Sequence, residues 1–299
     1  MRWVFLDGNT VSGRTSTVKV PSGCLCTLSA VLVLNHDHPV QRDRIDDILW
    51  DGDPPESARD RLNTMLWRLR KLVKTAGGNP NCFENHREYL LYRSDGNLES
   101  DALTLSKLTR RLDLGKMISA EMAEECLSCI QSCHSDFLPS AADHWSIVTR
   151  ESLRSGLLMM IEAVIAYMRD KGRWGRVAEL AERMLALDPT LEIGHQQLID
   201  MHGRRQDFGS AKRHYDTLRK VLKESLDVAP APETAAAIDA LRIARSKQQT
   251  SSGNGKPRSV ERRPHRPALT VRPSIRSVES ALDHIDAARD WLLGHSRDH

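Results

Sequence analysis

The stretch from Asp53 to Val73, DPPESARDRLNTMLWRLRKLV, decides how the first third of the chain is read. Leu62, Met65, Leu66, Leu69, Leu72 and Val73 recur at spacings of three and four, which places them on one face of an α-helix that packs on a core. The opposite face is thereby forced outward, and it carries Arg61, Thr64, Arg68 and Lys71, with Asn63, Trp67 and Lys74 a little round the cylinder. Between Pro55 and Ala76 six Lys or Arg oppose two acids, so this helix presents a basic stripe. A solvated amphipathic helix would show the same pattern, and its neighbours distinguish the two readings.

On the N-terminal side, RWVFLD (residues 2–7) and TSTVKV (15–20) are short β-prone runs separated by Asp-Gly and Ser-Gly turn signals, which predicts a small antiparallel sheet. Helical patterning begins near Thr27. TLSAVLVLNHDHPV predicts a first short helix ending in the breaker from Asn35 to Pro39, and QRDRIDDILW a second with Ile45, Ile48 and Leu49 turned inward. Pro54 and Pro55 then suit the start of the basic helix, where a missing N–H goes unnoticed. After Gly77 and Gly78, CFENHREYLLYR reads as two β-prone runs around a polar turn from Glu84 to Glu88. Sheet, three helices and hairpin form the order of a winged helix-turn-helix, whose third helix can enter a major groove.

The fold expected is mainly α: a winged helix-turn-helix with a small β-sheet and wing, then an all-α tetratricopeptide-like helical bundle. WGRVAELAERMLALDP and FGSAKRHYDTLRKVLKESL begin at Trp174 and Phe208, 34 residues apart, with Val177 and Ala211 at matching positions. That spacing is the tetratricopeptide period. From Ser246 to Arg276 there are eight Lys or Arg, one acid and four prolines, a composition that predicts a disordered basic tether. SVESALDHIDAARDWLLGH then restores an amphipathic pattern through Val278, Leu282, Ile285 and Leu292. The domains expected are a winged-helix DNA-binding domain over 1–97, a helical domain over 98–245, a linker over 246–276 and a C-terminal amphipathic helix over 277–299.

Net charge is only +3 over 299 residues, so any basic surface must be local. No run of 18 apolar residues occurs and MRWVFLDGNT lacks the pattern of a secretory leader, which predicts a cytosolic chain without a membrane partner. The six cysteines include CLSCIQSCH, where Cys126, Cys129, Ile130 and Cys133 also share one helical face. No second Cys or His pair follows at structural-zinc spacing, so these read as core residues, and neither metal nor cofactor is expected. Phosphate-binding, G-x-S-x-G and H-E-x-x-H motifs are absent from the sequence, and no enzyme is expected.

HPVQRDRIDDILWDGDPPESARDRLNTMLWRLRKLV resembles the OmpR-like winged helix of the SARP group of bacterial regulatory activators, on the residues Leu49-Trp50, Pro54-Pro55 and Arg68-Leu69-Arg70. DFLPSAADHW, RESLR and the stretch from Gly172 to Thr234 resemble the bacterial transcriptional activator domain of the same group. Together they cover roughly residues 1–245. Three departures stand out: Trp67 lies where such helices often carry a small polar residue, Glu88 precedes Tyr89 where a Gly-Tyr pair is usual, and the basic tail and final helix lie outside the match.

The resemblance implies a bacterial, cytoplasmic, nucleoid-associated activator that binds double-stranded promoter DNA, often as self-associated protomers on direct repeats, and recruits RNA polymerase holoenzyme. Base edges are then expected to be read by Arg61, Asn63, Thr64 and Arg68, and phosphates to be held by Arg59, Trp67, Arg70, Lys71, Lys74, His86 and Arg87. Arg70 lies nearer the packed face and is equally suited to pairing within the body. In the OmpR-like class the turn before the recognition helix faces the polymerase, which makes Asp51 and Asp53 contact candidates, although Asp53 also suits a helix cap. A regulatory protein or ligand at the helical domain, and a repressor in place of an activator, stay open. The rival from another class is a tetratricopeptide-like adaptor whose winged helix binds no DNA.

The basic tether is either a plain linker or a source of further phosphate contacts. Truncation after Arg245 separates these roles: loss of phosphate contacts flattens the salt dependence of DNA affinity, measured by titration at several ionic strengths, whereas a linker leaves the slope unchanged.

Overall fold

The computed structural model describes residues 1–50, 55–94, 96–113 and 115–251, with no side-chain detail for 55–57 and 247–251. The expected C-terminal helix, most of the expected linker, and Asp51 and Asp53 lie outside the described residues. Two compact units emerge among the described residues, one of Met1–Leu114 with Ser119–Met160 and a second of Gly115–Ile118 with residues 161–251.

The first unit opens with β1 (Arg2–Val4), β2 (Thr10–Ser12) and β3 (Thr17–Lys19), paired antiparallel in sequence order, with β7 (Glu99–Ser100) parallel to β1. The β-prone runs suggest two strands here. Thr10–Ser12 forms a third because Val11 is buried opposite Trp3, a gain that a three-residue run between two turns hides. Helix α1 (Cys24–Leu34) starts before Thr27, since Gly23 supplies the carbonyl that accepts from the Cys26 and Thr27 amides. It is buried from Leu25 to Val33.

Strand β4 (Val40–Gln41) leads into α2 (Arg42–Trp50), and α3 (Pro55–Thr75) comes next. The wing is β5 (Phe83–Asn85) and β6 (Tyr89–Tyr92), and β6 lies between β4 and β5 in a three-stranded sheet. The order is that of a winged helix-turn-helix.

Three kinds of contact hold this body. Apolar side chains of α3, Leu62, Leu66, Leu69 and Val73, are each at most 1% exposed and share the core with Leu28, Leu32, Ile45, Phe83 and Leu90. The C-terminus of α3 is closed by Gly78 N–H donating to Val73 O, with Gly77 at φ 85° where an L side chain would be strained. At Gly13 a Cβ would fall 2.2 Å from Ala76 O, so only glycine lets this hairpin meet the helix end. Trp3 Nε1 donates to the Tyr92 hydroxyl at 3.3 Å within the core.

Packing does not stop at the wing. Helix α4 (Asp101–Arg111) begins with Asp101, 8% exposed, whose carboxylate accepts from the amides of Phe5 at 2.9 Å, Leu6 at 2.6 Å and Ala102 at 2.8 Å. Burial pushes its pKa up, and the three amides oppose that shift. After α5 (Ala120–Ser132), the amides of His134 and Ser135 donate to Leu6 O at 2.9 and 2.8 Å. Ring contacts join Trp3 to Phe5, Phe5 to Phe137 and Phe137 to Trp145. Cys126, Cys129 and Cys133 are buried on α5 and just after it, as the shared helical face requires, and burial raises the Cys126 thiol to about 11.

The second unit takes the rest of α6 (His144–Asp170), then α7 (Trp174–Leu187), α8 (Glu192–Arg204), α9 (Phe208–Leu226) and α10 (Pro232–Ser251). Trp174 and Phe208 each open a helix, so the 34-residue spacing marks successive helix pairs. Val177 and Ala211 are both fully buried, and each opening ring lies under an arginine, Arg204 at 3.9 Å and Arg245 at 5.7 Å. Glu192 fixes the start of α10, accepting from Ala231 N at 3.0 Å and Thr234 Oγ1 at 2.9 Å. Helix α10 continues past Arg245, where composition places the start of the linker. The fold is mainly α, a winged helix followed by a helical bundle, as expected.

Asp101→Ala strands buried amides on the strand end, at roughly 1–3 kcal/mol for each unsatisfied group. Chemical denaturation of the full chain is expected to show a loss of at least about 2 kcal/mol. A loss below about 0.5 kcal/mol, the range of an ordinary surface change, contradicts a structural role for this carboxylate.

Candidate nucleic-acid interface

Helix α3 has 21 residues, about 32 Å at 1.5 Å per residue. With its apolar face buried, Arg59, Asn63, Thr64, Trp67, Arg68, Lys71 and Lys74 are all exposed. Trp67 is 60% exposed, and Lys71 Nζ lies 5.4 Å from its ring centroid. This is a weak cation–π contact at a wet surface, and it leaves both side chains facing outward. Thr64 Oγ1 donates to Asp60 O at 2.9 Å within the helix.

Three sequence candidates are engaged by the body. Arg61 is half-buried, with its guanidinium 4.7 Å from the Trp50 ring centroid. Asn63 Oδ1 accepts from Asn85 Nδ2 of the wing at 3.2 Å. Arg70 is half-buried and donates to Phe83 O at 2.5 Å. Its Nε is buried without a hydrogen-bond partner, so the side chain is turned into the body and away from the exposed stripe.

The tip between β5 and β6 is His86-Arg87-Glu88, closed by His86 N–H donating to Tyr89 O at 3.0 Å. Arg87 is exposed. The His86 ring stacks on Tyr89 with centroids 4.4 Å apart, and its Nε2 lies 3.2 Å from Glu84 Oε2. Glu84 also accepts from Arg93 at 2.7 and 3.3 Å, and these partners hold its pKa down to about 2. His86 is therefore tied within the wing while Arg87 is presented beyond it.

Two residues that the sequence patterns do not single out lie between helix and wing. Arg42 opens α2 and Asn85 ends β5. Arg42 Nε donates to His86 O at 3.0 Å, its Nη2 donates to Asn85 Oδ1, and its backbone N–H donates to Glu88 O at 2.9 Å. The cue to this is β4, which places Arg42 beside the wing, and a strand of two residues has no readable periodicity. Behind Arg42, burial raises the Asp46 carboxyl, with Arg42 first among the charges opposing that shift.

The arrangement offers an exposed row of cationic side chains on α3 with an exposed wing arginine beside it. It has the dimensions and charge for the edge of a duplex, and no catalytic grouping of nucleophile, base and oxyanion donors is formed by the residues described along it. Among the described residues no His, Cys, Asp or Glu cluster could hold a metal ion, and no helix is long and apolar enough to cross a membrane.

Residues 120–242 match the family model of the bacterial transcriptional activator domain. Among solved structures, Mycobacterium tuberculosis EmbR, determined in complex with a low-affinity phosphopeptide, is similar with a TM-score of 0.64 and 18% identity, over 84% of this chain and 69% of that one. No curated protein matches. Residues 120–242 thus match a bacterial transcriptional activator domain, and they follow a winged helix in a chain whose fold is similar to that of EmbR.

Proposed function

We propose that this chain is a sequence-specific DNA-binding transcriptional regulator, an activator that binds repeated promoter half-sites and recruits RNA polymerase. One observation carries the reading: α3 turns Arg59, Arg68, Lys71 and Lys74 outward beside an exposed wing arginine while its leucines are buried in the body. In a major groove, Arg68 and Thr64 take the central positions that reach base edges, and Arg59, Lys71, Lys74 and Arg87 reach phosphates on either side. Arg61 keeps its base-reading role if it leaves the Trp50 ring. Trp67 packs its apolar edge on sugar or on a thymine methyl. Arg70 and His86 drop out of the contact set because the body and the wing already engage them.

Within this reading residues 1–97 bind DNA and 98–245 hold protomers together or receive a regulatory protein or ligand. Asp51 and Asp53 stay as the polymerase-facing pair. Such a protein acts by position rather than by chemistry, and its regulation rests on the occupant of the helical domain.

Arg68→Ala is expected to weaken binding to a selected cognate site by ~1–3 kcal/mol while barely changing affinity for scrambled duplex, measured by titration at fixed salt. An equal loss on both duplexes makes Arg68 a phosphate ligand. Absence of duplex binding by the folded wild type at low salt removes the DNA-binding reading in favour of an adaptor.

A further inference from the structure

We infer that Arg42, Asn85 and Asn63 form a clamp that sets the distance between the wing tip and α3, so that Asn63 is a positioning residue and Arg42 determines specificity without touching a base. The clamp rests on the DNA-binding reading above and deepens it.

The wing is held to the body both at its base and next to its tip. At the base Arg70 donates to Phe83 O at 2.5 Å, and β4 pairs with the tip-proximal end of β6 at Val40–Leu90 and Gln41–Tyr89. Beyond that, Arg42 holds the tip to the body: its backbone N–H, Nε and Nη2 reach Glu88 O, His86 O and Asn85 Oδ1. Asn85 relays this hold to the recognition helix, since its Nδ2 donates to Asn63 Oδ1 at 3.2 Å. One amide therefore uses its oxygen on α2 and its nitrogen on α3.

The chemistry explains why these residue types are needed. A guanidinium carries several donors in a fixed planar fork, so one side chain can hold a carbonyl and an amide oxygen at once, whereas an ammonium is a single point of attachment. Asparagine has an acceptor and a donor on one short planar group, which suits a relay between two partners. Asn85 and Asn63 are exposed, so the stability of the fold does not depend on their bonds. Their effect is geometric. A duplex meets helix and wing together, and base readout survives only if both elements keep their spacing to within a fraction of an ångström.

The same geometry gives Asn63 a different role from the one its place on the exposed face suggests. Its oxygen already accepts from Asn85, so the paired donor-acceptor contact to adenine that a free asparagine makes has to share or displace that bond.

The test uses the full chain, its selected cognate duplex and a scrambled duplex. Arg42→Ala, Arg42→Lys, Asn85→Ala, Asn63→Ala and the Asn63→Ala/Asn85→Ala pair are compared with the wild type. The clamp predicts that Arg42→Ala and Asn85→Ala each lower the cognate-over-scrambled preference roughly tenfold, the size of one displaced base contact. Their salt slopes and melting temperatures are expected to stay at the wild-type values, and Lys at position 42 does not restore the preference. Asn63→Ala and Asn85→Ala are expected to be non-additive, the pair losing no more than either alone. Additive losses, or a change at one base position for Asn63→Ala alone, make Asn63 a base reader and overturn the inference.

Hydrogen exchange of the DNA-free protein separates the clamp from the DNA-binding reading. In Arg42→Ala the amides from His86 to Tyr89 are expected to exchange faster while those of α3 are unchanged. Unchanged exchange at the tip refutes the clamp whatever DNA does. Faster exchange in a protein whose wild type binds no duplex refutes the specificity role and the DNA-binding reading together, leaving the clamp as wing architecture. If Arg42→Ala melts early, Asn85→Ala carries the same comparison.

Discussion

The burial of one helix face governs the rest of this molecule. Leu62, Leu66, Leu69 and Val73 occupy the centre of the winged-helix core, and complete burial of such side chains is worth ~1.5–3 kcal/mol each. Rotating α3 to hide its arginines would expose those leucines and bury charges that have no partners there, at a cost far above any gain. Arg59, Arg68, Lys71 and Lys74 are thus held outward by the hydrophobic effect, while Arg61 rests half-buried on the Trp50 ring. Arg70 departs from this by finding the Phe83 carbonyl near the packed side.

A second constraint ties the winged helix to the helices that come after the wing. Leu6 lies at the end of the first strand region, with its amide on Asp101 and its carbonyl taking the amides of His134 and Ser135. Phe5 and Phe137 meet beside it. The first compact unit is for this reason larger than a winged helix alone, and α4, α5 and the start of α6 belong to its packing. The family match for the activator domain begins at residue 120, so the boundary of the matched family and the boundary of the packed unit are different things in this chain.

Much of this is legible in the sequence because it depends on periodicity. The amphipathic spacing of α3, the order of strands and helices, and the helix starts at Trp174 and Phe208 all come from patterns that repeat over many residues. The buried Cys126, Cys129 and Cys133 come from one helical face in the same way. Periodicity cannot disclose contacts between residues far apart in sequence that rest on a single side chain. The Asp101 carboxylate under the Phe5 and Leu6 amides and Arg42 across the wing are of that kind. Each is specified by local geometry at one position, and no pattern repeats to announce it. The candidate site divides along the same line: the exposed face of α3 and the place of Arg70 near the packed side are readable, while the engagement of Asn63 by the wing and of His86 within it is not.

The central claim is that the outward face of α3 recognises particular DNA sequences. It is tested most directly by incubating the purified 299-residue chain with sheared genomic DNA of its own organism at near-physiological salt and sequencing the retained fragments, beside an Arg68→Ala/Lys71→Ala control. Sequence recognition by α3 predicts that a few promoter-proximal fragments sharing repeated half-sites are enriched and that the control loses them. Uniform recovery of fragments, or equal enrichment by wild type and control, would contradict it.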